Sequence, residues 1–113
     1  MTKWNYPIRG AVLAVMLATS GIFGSPARAQ SAGEKSYKKN CTACHGVDGY
    51  AHTPAGKQLK ARDFHSQDVQ QETDETLAAI IGKGKNNMPS FEKQLKPSEI
   101  MDLVKYIRTF AKK

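Results

Sequence analysis

Apolar residues recur at helical intervals in three separate segments of this chain. In the first, Gly33, Tyr37, Cys41 and Cys44 are spaced by four, four and three residues, which puts them on one face of a helix. A serine just before this segment, with a glutamate three residues later, makes a capping box. The pattern therefore predicts a helix over residues 32–44.

Two further segments show the same periodicity. Thr73 is the predicted N-cap of a second helix, in which Leu77, Ile80 and Ile81 share one face. A third helix is predicted to begin near Pro97, with an apolar stripe along one side: Ile100, Leu103, Val104, Ile107 and Ala111. No segment alternates as a half-buried strand does, so we expect an all-α fold of three main helices.

Residues 46–71 contain glycines, a proline and scattered charges but few aliphatic residues, which predicts a long loop. Such a loop is uncommon in a small domain unless it is functional or wraps around another body. We therefore expect the loops to enclose a large apolar cofactor.

The N-terminal stretch has the layout of a secretory signal peptide. Basic residues precede an almost uninterrupted apolar run at residues 11–23, and a small-x-small cleavage pattern ends at Ala29. The alternative is an uncleaved membrane anchor, but such a run spans about 20 Å as a helix, short of a hydrocarbon core of about 30 Å. We predict a signal peptide at residues 1–29 and one domain at residues 30–113, located in the periplasm without stable membrane insertion.

The charge balance narrows the choice of partners. The 113 residues carry 17 lysines and arginines against 10 acidic residues. Three of the basic residues lie in the predicted signal, so the net charge of residues 30–113 is +4. This mild excess fits docking to an acidic protein surface and gives little support to nucleic-acid binding. We expect a monomer that meets redox partner proteins.

The sequence Cys41-Thr42-Ala43-Cys44-His45 matches the C-x-x-C-H signature of covalent haem attachment. Residues three and four apart share a helix face, so both thiols and the imidazole can reach one edge of a haem and its iron. A disulfide between the two cysteines is an alternative, as are a thioredoxin-like redox pair and a zinc site. A disulfide here would close a tiny loop and stabilise little. A thioredoxin-like pair would need a βαβ context, and a zinc site would need a second Cys or His pair; the sequence shows neither.

Met88 is the candidate for the second iron ligand. It follows a polar segment after the second helix, so it does not belong to the apolar face of any predicted helix. A thioether opposite an imidazole also suits the iron of an electron-transfer protein. Met101 lies near the apolar stripe of the third helix and is expected to be packing. His52 and His65 are expected to be solvated, with ligation by two histidines through His65 as the alternative.

These residues together resemble the small bacterial class I cytochromes c, over about residues 32–110. Gly33 and Tyr37 resemble the family's small and aromatic pair on the first helix, which Leu103 and Tyr106 of the last helix would cross. The resemblance implies the small cytochrome c fold, with loops wrapped around one covalent haem c.

The resemblance also implies a role for Pro54. It lies nine residues after His45 and is similar to the family proline whose carbonyl accepts the hydrogen of the histidine Nδ1. The expected walls of the haem pocket are apolar: Leu59, Phe64, Leu77, Ile80, Ile81, Phe91, Leu95, Leu103 and Ile107.

The expected function is outer-sphere electron transfer by a carrier that is not an enzyme. Some of the lysines that flank the haem would form a docking ring for an acidic partner: Lys57, Lys60, Lys83, Lys85 and Lys93. Two alternatives remain open. The chain could be a subunit of a larger oxidoreductase, or, if Met88 does not bind the iron, a protein that binds small ligands or turns over peroxide.

Overall fold

The structure is a computed structural model that describes residues 30–113 and three isolated positions before them (2, 10 and 21). Apart from these three positions, the predicted signal peptide lies outside the described residues. None of the helices in the described part is long and apolar enough to cross a membrane.

Six helices follow one another along residues 30–113. They are α1 (Ala32–Asn40), α2 (Thr42–His45), α3 (Pro54–Leu59), α4 (Gln67–Gln70), α5 (Asp74–Lys83) and α6 (Pro97–Thr109), the last continued by a 3₁₀ turn at Phe110–Lys112. No strand forms within this range, and the only pairing of that kind is an isolated bridge between Lys85 and Met88. The all-α prediction is confirmed.

The predicted first helix is divided at Cys41, which lies in a turn between α1 and α2. The predicted loop at 46–71 is wrong in part, because it contains α3 and α4. Each of these short helices begins with a hydroxyl cap: Thr53 accepts a hydrogen bond from the Gly56 amide, and Ser66 accepts one from the Val69 amide. These caps are local signals that the low aliphatic content of the segment obscured.

Helices α1 and α6 cross in close contact. A Cβ atom added to Gly33 would lie 2.1 Å from the carbonyl oxygen of Asp102, so only glycine permits this approach. One helical turn later the ring of Tyr37 packs against those of Tyr106 and Phe110, with centroid distances of 5.1 and 5.5 Å. The expected crossing of the two helices is confirmed.

The core extends from this crossing towards α5. Leu77 and Ile81 of α5 join Leu103, Val104 and Ile107 of α6 in one buried cluster. A cavity beside this cluster is lined by residues of α5 and α6 together with residues of α2 and of the loops.

Candidate functional site

A cavity of about 400 Å³ lies beside the core, a size in the range of small-molecule and cofactor sites. Most of the lining side chains are apolar: Leu59, Ala61, Phe64, Val69, Leu77, Ile80, Ile81, Pro89, Phe91, Leu103 and Ile107. All of the expected wall residues are among them except Leu95, which packs against the core instead. The chain thus folds around an apolar space that its own side chains do not fill.

Cys41 and Cys44 both line this cavity, and neither is in a disulfide. The amide of His45 donates to the carbonyl of Cys41 at 2.9 Å, which closes the helical turn and keeps the motif together. Burial raises the pKa of the Cys41 thiol to about 11, with a further contribution from the neighbouring Cys44. The Cys41 thiol is therefore protonated at neutral pH. Within the described residues, no cluster of three or more His, Cys, Asp or Glu side chains could hold a metal ion.

The imidazole of His45 is buried and held by two contacts. Its Nδ1 lies 3.0 Å from the carbonyl oxygen of Arg62, and its face stacks on the ring of Phe64 at a centroid distance of 4.2 Å. Desolvation lowers the pKa of His45, opposed by the hydrogen bond to Arg62. Because a carbonyl can only accept, Nδ1 carries the hydrogen and Nε2 keeps its lone pair free for a metal.

The acceptor on Nδ1 differs from the expectation for Pro54. Pro54 occupies the first turn of α3, where a backbone carbonyl accepts along the helix, and the Nδ1 hydrogen bond goes to Arg62, 17 residues after His45. The prediction for Pro54 is therefore wrong. A backbone acceptor has no side-chain signature, so only the path of the chain could identify Arg62.

The start of α3 contributes to the site in another way. The hydroxyl of Thr53 donates to the carbonyl oxygens of Ala43 and Cys44, at 2.7 and 2.9 Å. These carbonyls belong to the last turn of α2, which has no further helical partners for them. Thr53 at the start of α3 thus holds the end of α2, which contains Cys44.

Met88 lines the same cavity from a tight loop after α5. The amide of Met88 donates to the carbonyl of Lys85 at 2.9 Å, and the amide of Lys85 donates back to Met88 at 3.2 Å. Asn86 has a positive φ of 53°, which asparagine tolerates, and the side chain of Asn87 donates to the carbonyl of Leu59 at 3.1 Å. Met101 lies in α6, is partly buried and is not part of the lining.

The other two histidines lie outside this cavity. His65 stacks on Tyr50 with a centroid distance of 3.8 Å, and its Nδ1 lies 2.9 Å from Oδ1 of Asp63. His52 also stacks on Tyr50, at a centroid distance of 5.5 Å, and is exposed. The expectation of a solvated side chain therefore holds for His52 and not for His65. Ligation through His65 finds no support in this arrangement.

Two of the five candidate docking lysines, Lys60 and Lys85, line the cavity together with Asn86 and Asn87. The side chain of Leu59 beside them is 39% exposed. The remaining three lysines are exposed but do not take part in the lining: Lys57, Lys83 and Lys93. Positive charge therefore lies where the cavity wall reaches the surface.

The site combines two thiols, a neutral imidazole and a thioether around one apolar cavity. Thiols can form thioether bonds to a vinyl-bearing cofactor, while nitrogen and sulfur donors suit an iron atom within it. This donor set fits a c-type haem with histidine and methionine as iron ligands.

Comparison with known proteins found a matching family model and similar cytochromes. The family model described as cytochrome c oxidase, cbb3-type, subunit III matches residues 28–107. Cytochrome c6 of Nostoc sp. strain PCC 7120 is 36% identical over 87 residues, which cover 75% of this chain and 76% of that protein. Cytochrome c6 of Picosynechococcus sp. strain PCC 7002 is 32% identical over 86% of this chain and 88% of its own length.

A solved structure is also similar to this one. It is described as the KustC0563 c-type cytochrome, is 38% identical and superimposes with a TM-score of 0.64. The match covers 69% of this chain and 95% of that structure.

Proposed function

Because this chain belongs to the cytochrome c family, as a small monohaem class I member with a covalently bound c-type haem, we propose that it is a periplasmic electron carrier whose iron is bound by His45 and Met88. Cys41 and Cys44 are the proposed attachment points. The observation that carries the proposal is that one cavity is lined by both cysteines, His45 and Met88.

His45 is suited to the role of a permanent ligand. Its Nδ1 donates to the carbonyl of Arg62, and this bond fixes the tautomer and raises the electron density at Nε2. Its burial and lowered pKa keep the ring neutral, so no proton competes for Nε2. Because the neighbouring Cys44 would be bonded covalently to the haem, His45 would be held next to the iron.

Met88 is suited to be the second ligand because its loop is closed on itself. The reciprocal hydrogen bonds between Lys85 and Met88 limit how far the thioether can move from the cavity. A Cβ atom on Gly84 would lie 2.6 Å from the carbonyl oxygen of Met88, and Gly84 has a φ of +78°, so this approach of the loop to the end of α5 requires glycine.

When bound, the haem supplies an iron centre that accepts and releases one electron. The chain contributes an apolar wall, which disfavours extra charge on the oxidised centre and raises the reduction potential. With two ligands from the chain, no position is left for a substrate, so we propose a carrier and not an enzyme.

The proposed partners are redox proteins with an acidic docking surface. Lys60 and Lys85 supply positive charge beside the cavity, and Leu59 at the end of α3 supplies an exposed apolar side chain in the same lining. Complementary charge mainly increases the rate of association. We also propose that the protein is cleaved after Ala29 and acts as a monomer. It would neither bind nucleic acid nor insert stably into a membrane.

A second candidate is an electron-transfer subunit within a larger oxidoreductase. The description of the matching family as an oxidase subunit favours it. Size-exclusion chromatography of the natural protein from membranes and periplasm would separate the two, since a subunit elutes with its partners and a carrier elutes alone.

Intact mass and the visible spectrum of the purified protein test the main proposal. We expect the mass of residues 30–113 plus one haem, and a sulfur–iron charge-transfer band in the oxidised form. Cys41→Ala or Cys44→Ala should reduce covalent attachment, whereas Thr42→Ser between them should not. Folded, colourless protein of unmodified mass would contradict the proposal.

A further inference from the structure

We propose that Phe64 is a positioning residue that sets the plane of the His45 imidazole. This inference rests on the proposed role of His45 as an iron ligand. It concerns the orientation of the ring, which the ligand assignment alone does not determine.

The two rings are stacked almost face to face. Their centroids are 4.2 Å apart and their planes differ by 16°, and each side chain is only 7% exposed. At this distance the rings are in van der Waals contact. Any rotation of the imidazole out of its present plane would therefore press it against Phe64.

The hydrogen bond to Arg62 does not fix the plane by itself. It holds one atom of the imidazole, Nδ1, at 3.0 Å from a carbonyl oxygen. Hydrogen bonds to carbonyl groups accept a broad range of directions, so the ring could tilt about this point. The stacking contact acts perpendicular to the ring, and the two contacts together leave a single orientation.

Phe64 is itself held firmly enough to act as a support. Its amide donates to the carbonyl of Gly49 at 2.9 Å, and its carbonyl accepts from the side chain of Gln70 at 2.6 Å. Its ring lies against Tyr37 and Phe110, at centroid distances of 6.1 and 5.9 Å. Both contacts on the imidazole thus come from one short segment, 62–64, that is anchored to the core.

If His45 binds the haem iron, the plane of its imidazole would influence which iron orbitals it overlaps, and so how unpaired electron density would be distributed over the haem in the oxidised state. Outer contacts of this kind orient the ligand and tune the metal. The spread of the haem methyl resonances in the proton NMR spectrum of the oxidised protein depends on the orientation of both iron ligands, so a change in the imidazole plane would alter it.

The test compares two substitutions of the same type in the same core cluster. Phe64→Leu removes the stack and keeps an apolar side chain, whereas Phe110→Leu removes a fully buried ring that is tilted against Phe64. We expect Phe64→Leu to change the order or spread of the haem methyl resonances and to shift the reduction potential. Phe110→Leu should destabilise the protein but keep the wild-type pattern, and Phe64→Tyr should restore it.

An unchanged pattern in Phe64→Leu, or an equal change in Phe110→Leu, would overturn the proposal. If Phe64→Leu does not fold, nuclear Overhauser contacts between the Phe64 and His45 rings in the reduced wild-type protein decide the matter, and their absence overturns it. Failure of the ligand assignment is distinguishable, because the sulfur–iron band would then be missing from the wild-type spectrum.

Discussion

The hydroxyl of Tyr37 donates a hydrogen bond of 2.6 Å to the carbonyl oxygen of Gly46, and both residues are buried. The bond joins the middle of α1 to the residue that ends α2, directly after His45. We expect Tyr37→Phe to lower the free energy of unfolding of the haem-bound protein by about 1–3 kcal/mol, because a buried carbonyl loses its partner. Urea titration measures this loss, and Tyr50→Phe at the surface is the control, with a change near zero.

The same bond predicts a pH dependence. Burial raises the pKa of Tyr37 well above its usual value, with smaller contributions from neighbouring groups. A raised pKa means that the folded state retains the proton, so its stabilising effect is complete below the unfolded pKa of about 10 and declines above it. The free energy of unfolding should therefore fall more steeply above pH 10 in the wild type than in Tyr37→Phe. Parallel curves for the two proteins would contradict this.

The close crossing of α1 and α6 predicts that Gly33→Ala is destabilising. The added Cβ would lie 2.1 Å from a backbone oxygen of Asp102, which cannot move without separating the helices. We expect a loss of about 1–3 kcal/mol in the free energy of unfolding. Gly82→Ala in α5 is the matched control, since its nearest neighbour to the added Cβ is at 3.6 Å and an alanine favours the helix. Equal effects of the two substitutions would show that close approach is not the cause.

The ligand assignment predicts different results for two methionines. Met88→Ala should keep the covalent haem, lose the sulfur–iron charge-transfer band and have a lower reduction potential, because the thioether favours the reduced iron. Met101→Leu in α6 should leave both unchanged. Visible spectra and redox titration measure the two quantities, and survival of the band in Met88→Ala would mean that another group binds the iron.

Asn87 connects the loop of Met88 to the end of α3 through its bond to the carbonyl of Leu59. Loss of this bond should let the loop open more often, so that carbon monoxide binds the reduced Asn87→Ala protein about two to ten times faster than the wild type. Asn86→Gly is the control, because glycine adopts the same positive φ without strain. Stopped-flow mixing measures the rates; equal rates in Asn87→Ala and the wild type would exclude a latch at this position.

Lys60 and Lys85 predict the salt dependence of electron transfer. With both changed to glutamine, the second-order rate with an acidic partner should fall about threefold at low ionic strength, and the decline of the rate with added salt should become shallower. Lys105→Gln on α6 is the control, since this exposed lysine does not line the cavity. A rate independent of salt in the wild type would argue against a basic docking surface.

The sequence by itself determined the features that depend on neighbours a few residues away. The spacing of Cys41, Cys44 and His45 groups them on one turn because helical geometry is local, and Ser31 and Thr73 mark helix starts because a cap bonds to amides within three residues. The same local reasoning made Met88, a methionine outside any helical stripe, the candidate for the second ligand, and Met88 lines the cavity.

Only the tertiary structure decided which distant groups meet these residues. Arg62 and not Pro54 receives the Nδ1 hydrogen bond, Phe64 and not another aromatic residue stacks on the imidazole, and Leu95 turns to the core. Every residue offers the same backbone carbonyl, and every apolar residue gains similarly from burial, so residue type alone cannot choose among them. The contacts of Arg62 and Phe64 with His45 follow from the path of segment 53–64, which is held by its hydrogen bonds to the end of α2 and to Gly49.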